Sequence, residues 1–105
     1  MKIGTTAIKN AVCREFGLTP ETLMMQSKLR LYSRPRQIAM YLSREIDARS
    51  FGEIGRSFGN RDHTTAVHAH QTIAALIEAD PDWRERVEGL RMRLTPAFDN
   101  AREAT

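Results

Sequence analysis

The sequence has a single cysteine, Cys13, in 105 residues, which excludes an intramolecular disulfide framework and a cysteine-rich zinc site. Cys13 lies on the apolar side of a helical pattern, so a small buried residue is expected there. No apolar run approaches the ~20 residues of a membrane span, and the opening residues lack the apolar stretch of a secretory signal. A cytoplasmic protein is the expectation. No segment alternates apolar and polar residues in the manner of a strand, which predicts an all-helical fold of about six helices. A glycine loop of the kind that cradles nucleotide phosphates is also missing.

Apolar residues make up 41% of the chain and charged residues 28%, the balance of an ordinary globular protein. The length suits one small domain with one core. That domain is expected over residues 1–95, with 96–105 as a tail or one short helix. The formal net charge is only +3, yet residues 28–61 hold eight Lys and Arg against three acids. Such a basic stretch is either a solvated face or a surface for phosphates.

Thr5 or Thr6 is placed to cap a first helix carrying Ile8, Ala11, Val12 and Phe16 at helical spacing, and Gly17 to end it. Thr19-Pro20-Glu21 restarts the chain as a short second helix, with Leu23 and Met24 inward. Gln26–Ser33 reads as a polar, basic connection. Pro35 then marks the start of a helix from Arg34 to about Ala48, with Ile38, Ala39, Tyr41, Leu42 and Ile46 inward. Arg34, Arg36, Arg44 and Glu45 are expected to face outward. Asp80-Pro81-Asp82 is a stop-and-restart signal that opens a last long helix. Its stripe of Trp83, Val87, Leu90 and Leu94 either closes the core or pairs with another copy in a homodimer.

The stretch from Ser50 to Ile77 is the most informative. Ser50 and Glu53 have capping-box spacing, and Ile54 and Phe58 recur on one face of a short helix. Gly59-Asn60 tolerate the positive φ of a tight turn. Asp62 is placed to cap a longer helix whose inward face is Ala66, Val67, Ala69, Ile73, Ala74 and Ile77. The first turn of that helix offers Asp62, His63, Thr64 and Thr65, with Arg61 just before it. Short polar side chains at the start of a second helix are what a helix-turn-helix, here at about residues 50–79, presents to a major groove. A carboxylate accepts from cytosine N4 and a threonine methyl packs on a thymine methyl. A basic segment ahead of a helix reaches a neighbouring minor groove. Each residue has a plainer reading as well: Asp62 as a cap only, His63 and His68 as ordinary surface residues.

Residues 50–73, together with RPRQIAMYLSRE at Arg34–Glu45, resemble the C-terminal DNA-binding domain of the bacterial replication initiator family, DnaA, which has a Trp-repressor-like helix-turn-helix. The run Arg61-Asp62-His63-Thr64-Thr65 followed by His68-Ala69 is similar to the signature of that family. The resemblance implies base contacts by Asp62, His63 and Thr64 in the major groove of an initiator box. It implies phosphate contacts near Arg61, Thr65, His68 and Arg44, the last standing where a lysine is common. Lys28 stands where the family commonly has a minor-groove arginine, and Arg30 lies two residues along; Arg34 and Arg36 complete the basic set. Gly52 replaces a frequent proline and Asn60 a frequent glycine.

Catalytic readings fail on geometry. Asp62, His63 and Thr64 are consecutive on a helix and fan apart, so they form no hydrogen-bonded triad. His63, His68 and His70 lack the i, i+4 spacing that pairs two metal ligands, so no metal and no cofactor are expected. The expectation is a stand-alone, nucleoid-associated regulator of replication initiation or transcription that binds double-stranded DNA and does not use ATP, because the chain opens directly on the first helix of this domain. The alternative is a protein-interaction module that binds the initiator or self-associates through the last helix.

Overall fold

The computed structural model describes residues 3–95, so the expected tail at 96–105 lies outside the described residues. Those described form six helices in the order α1 (Thr5–Phe16), α2 (Pro20–Leu23), α3 (Arg30–Asp47), α4 (Phe51–Ser57), α5 (His63–Ala79) and α6 (Pro81–Leu94), with no strand among them. The all-helical expectation holds.

α3 is the central element. It packs against α1, α4 and α5 and makes a smaller contact with α6. Ile38, Ala39, Met40 and Leu42 of this helix are buried with Ile8 and Val12 of α1, Ile54 of α4, Ile73 of α5, and Val87 and Leu90 of α6. Cys13 is buried in the same core, where burial pushes its thiol pKa up.

Two helix starts differ from the sequence reading. Neither Thr5 nor Thr6 caps α1: Gly4 occupies the cap position without a side-chain bond. The buried carboxylate of Asp47, at the end of α3, accepts instead from the amides of Ile3 at 2.8 Å and Gly4 at 2.9 Å. A carboxylate beside a helix N-terminus also complements its partial positive charge. α3 itself begins at Arg30, not Arg34, and holds Pro35 in its second turn. The amides of Tyr32 and Ser33 already donate to the carbonyl of Leu29 at 3.0 and 2.8 Å. Proline's fixed φ is helical, and this close to the start its missing N–H deprives only the carbonyl of Leu31, an exposed residue, of a partner.

The apolar stripe of α6 serves this chain's own core. Val87 and Leu90 are fully buried, while Trp83 stacks on Phe16 with centroids 6.2 Å apart. Of the two readings of this stripe, closing the core accounts for Val87 and Leu90, while Trp83 and Leu94 are half-buried against the same core. Arg86 and Arg93 tie α6 to α1 through the two oxygens of Glu15, at 2.9 and 2.6 Å. Asp80 caps α6 by accepting from the amide of Asp82 at 3.0 Å.

Candidate nucleic-acid interface

α4 opens with the capping box expected of its sequence: Ser50 Oγ accepts from the Glu53 amide, and the Glu53 carboxylate accepts from the Ser50 amide, both at 3.1 Å. The helix ends at Phe58, and Gly59 and Asn60 turn the chain with φ of 83° and 57°. The turn is then pressed back onto α4. The Arg61 amide donates to the Gly55 carbonyl at 2.7 Å. A Cβ built on Gly55 would sit 2.3 Å from the Arg61 carbonyl oxygen, so only glycine admits this approach. Gly55 was not singled out by sequence reasoning; a glycine inside a seven-residue helix, where it costs stability, was the available signal.

Lys9 of α1 is a second contributor that the sequence did not announce. Its ammonium donates to the carbonyl of Ser57 and lies 4.7 Å from the centre of the Phe58 ring. Burial lowers its pKa. A cation at the C-terminal end of α4 offsets the partial negative charge there. On the other side of the motif, His70 of α5 bonds Glu45 at 2.9 Å and stacks against Tyr41 at 5.0 Å. These contacts set α5 against α3.

With α5 so held, Asp62, His63, Thr64 and Thr65 all stand exposed at its start, while Ala66 and Ala69 are buried beneath. His68 is also exposed, one turn beyond Thr64 and on the same helical face. Asp62 occupies the cap position but makes no capping bond to the backbone. Its carboxylate instead accepts from Thr64 Oγ1 at 3.0 Å and lies 3.0 Å from His63 Nδ1. The hydrogen bond from Thr64, with that from the His63 backbone, holds the Asp62 carboxyl below the usual carboxylate range. At neutral pH Asp62 is thus an acceptor only. The expectation of a side-chain cap is corrected: the oxygens are turned along the exposed edge.

The basic residues separate into two groups. Lys28 and Arg30 are exposed at the end of the loop and the start of α3. With Arg36, Gln37, Arg61 and Thr65 they line a cavity of about 370 Å³ beside the start of α5. Arg36, expected on the outer side, is instead buried, with 8% of its surface exposed. Its guanidinium donates to the carbonyls of Leu23, Met25 and Ser27 at 3.3, 2.8 and 2.9 Å. It therefore holds the loop against α3, and burial, followed by the charge of Arg61, lowers its pKa. Arg61 is half-buried. It donates to the carbonyls of Phe58, Met24 and Met25, which fastens the turn to α2 and the loop.

Arg44 is half-buried, donates to the Arg49 carbonyl at 2.9 Å and lies over the Phe51 ring at 4.6 Å. Arg34 falls elsewhere, in a second cavity with Trp83. No group of three or more His, Cys, Asp or Glu among the described residues is placed to hold a metal ion. No helix among them is long and apolar enough to cross a membrane.

The order of helices, the glycine-dependent turn and the polar start of α5 are those of a helix-turn-helix. The family model for the bacterial DnaA protein helix-turn-helix matches residues 5–73. This chain belongs to that family. The DnaA match takes in α1 to α4 and the first two-thirds of α5, leaving α6 beyond it. Among similar curated proteins, the chromosomal replication initiator protein DnaA of Sphingopyxis alaskensis is 40% identical over 93 residues, covering 89% of this chain and 20% of the relative. The DnaA proteins of Rhizobium meliloti and Rhizobium johnstonii are 43% and 44% identical over 84 residues, 80% of this chain in each case and 18% and 17% of theirs. The chain thus spans about a fifth of the length of these DnaA relatives. What it has in common with them is a DNA-binding helix-turn-helix domain of the DnaA type.

Proposed function

We propose that this chain binds double-stranded DNA at initiator-box-like sites and, by occupying them, regulates replication initiation or transcription without ATP hydrolysis of its own. One observation carries the reading: Asp62, His63, Thr64 and Thr65 form an exposed polar edge at the start of α5, with Lys28 and Arg30 beside it. The start of α5 enters the major groove, where Asp62, His63 and Thr64 read base edges and Thr65 lies at the margin. Lys28 and Arg30 hold phosphates or reach the flanking minor groove. His68 and Arg44 stand nearer the backbone, and Arg61 keeps the turn in register while its outer edge faces the phosphates. A protein with this role sits in the cytoplasm on the nucleoid.

The test is fluorescence anisotropy with a short duplex carrying an initiator-family box and a scrambled duplex, each at low and near-physiological salt. Preference for the box of at least ~1,000-fold is the expected result. Equal binding that vanishes together as salt rises would show phosphate attraction alone and end this reading.

A further inference from the structure

The second cavity, about 460 Å³, lies where the end of α1, the first turns of α3 and the start of α6 meet, and neither α4 nor α5 contributes a wall. Its apolar part is formed by the stacked rings of Phe16 and Trp83, with Pro35 and Leu31. Leu31 is 63% exposed and its neighbour Leu29 65%. Three arginines rim it. Arg86 lies 4.1 Å from the Phe16 ring centre and 5.5 Å from that of Trp83, and is paired with Glu15. Arg34 lies 6.0 Å from the centre of Trp83. Among the described residues neither Arg30 nor Arg34 has a carboxylate partner, although the two are one turn apart on α3, a spacing at which like charges repel.

We propose that this cavity docks an acidic protein segment anchored by one aromatic or large aliphatic side chain. The chemistry is complementary on both counts. Arg30 and Arg34 offer carboxylates two guanidiniums that have no acidic partner among the described residues, and arginine clusters are a recurrent means of holding acidic motifs. Between them the rings, Pro35 and Leu31 make the apolar wall of the cavity. Exposed apolar surface rimmed by charge is characteristic of protein contact sites, and aromatic residues and arginine are the types that dominate their energetics. A DNA backbone would satisfy the arginines but leave Leu31 and the Trp83–Phe16 recess without a partner. The site is thus separate from the edge of α5, sharing only Arg30 with the basic cavity there.

Trp83 is the chain's one tryptophan, so its emission reports on this cavity directly. The probe is a short peptide of Asp and Glu with a central phenylalanine, titrated into the whole protein. A saturable shift of Trp83 emission is expected, weakened at least ~10-fold when the phenylalanine is replaced by alanine, the effect of one lost buried side chain. Arg34→Glu and Leu31→Ser should each weaken it by about 10-fold or more, the level of a central contact residue, with unchanged circular dichroism and melting. His63→Ala should leave it untouched. The proposal is overturned if no saturable shift appears up to millimolar peptide, or if the alanine peptide binds as well. It is equally overturned if Trp83 responds to a DNA duplex or an anionic vesicle and not to the peptide, or if light scattering shows a dimer that Arg34→Glu dissociates.

Discussion

Arg36 and Arg61 donate to the same acceptor, the carbonyl of Met25, at 2.8 and 3.1 Å. One guanidinium comes from the middle of the central helix and the other from the turn of the helix-turn-helix. Two like charges converge there because each is also held by further carbonyls: those of Leu23 and Ser27 for Arg36, and those of Phe58 and Met24 for Arg61. The loop that carries Lys28 is thereby fixed relative to the start of α5. Spacing between Lys28 and the exposed start of α5 is thus set by two arginines bonded to backbone carbonyls.

On the proposed reading, Arg36 is separable by experiment from Lys28. Arg36→Ala leaves the carbonyls of Leu23 and Ser27 without their charged donor, Met25 keeping Arg61, and should lower stability by about 2–3 kcal/mol, read as a lower urea midpoint at unchanged m-value. On DNA, the mutant's slope of log affinity against log salt should match that of the parent. Lys28→Ala should do the reverse, keeping stability and reducing the slope by about 1. An Arg36→Ala protein with full stability and a reduced slope would return Arg36 to the phosphate contacts.

Gly55 gives a sharper test of the motif's geometry. A methyl there would overlap the Arg61 carbonyl, 2.3 Å away, and backbone cannot rotate aside as a side-chain tip can. Gly55→Ala should cost about 3 kcal/mol, the upper range for overpacking, and weaken box binding because the start of α5 must move. Gly89, also helical but with nothing within 4 Å of its Cβ position, is the control. Gly89→Ala should stabilise by about 0.5–1 kcal/mol. Thermal melts of the two proteins should shift in opposite directions.

The contrast marks what a sequence can disclose. Periodicity placed the core faces of α1, α3 and α5, and the capping box, the Gly59-Asn60 turn and the Asp80-Pro81 restart are local chemistry readable from neighbouring residues. The exposed edge from Asp62 to Thr65 was legible for the same reason. Contacts between residues far apart in sequence were not. Asp47 reaches the amides of Ile3 and Gly4, Lys9 reaches Ser57, and Gly55 admits Arg61. An arginine at a helical position looks the same whether it meets phosphate or three carbonyls, so Arg36 read as surface. The first turn of α3 was hidden by Pro35, which ordinarily marks a helix start but is tolerated one turn later.

His63 carries the most specific prediction for recognition. It is exposed and lies next to the Asp62 carboxylate, so its removal takes nothing from the core. His63→Ala should weaken binding to the box by about 1–3 kcal/mol, the discrimination of one good base contact, and leave the scrambled duplex unchanged. Thermal stability should be that of the parent. Full box preference in this protein would remove His63 from the proposed code.

Glu15 gives the pH dependence. Hydrogen bonds from Arg93 and then Arg86 hold its carboxyl below the usual carboxylate range. A folded pKa below the unfolded value means that the unfolded chain binds the proton more tightly, so acid favours unfolding. The contribution is fully present above the unfolded glutamate value of about 4.3 and fades as pH falls through the lower folded value. Because both arginines are substantially exposed, the two pairs together should contribute only about 1 kcal/mol. Urea melts of the parent and of Glu15→Gln should therefore differ by about that amount at neutral pH and converge as pH falls through the lowered folded value, once the carboxyl is protonated in both states. A difference that persisted into acid would mean that Glu15 acts by packing against Arg86 and Arg93, not by charge.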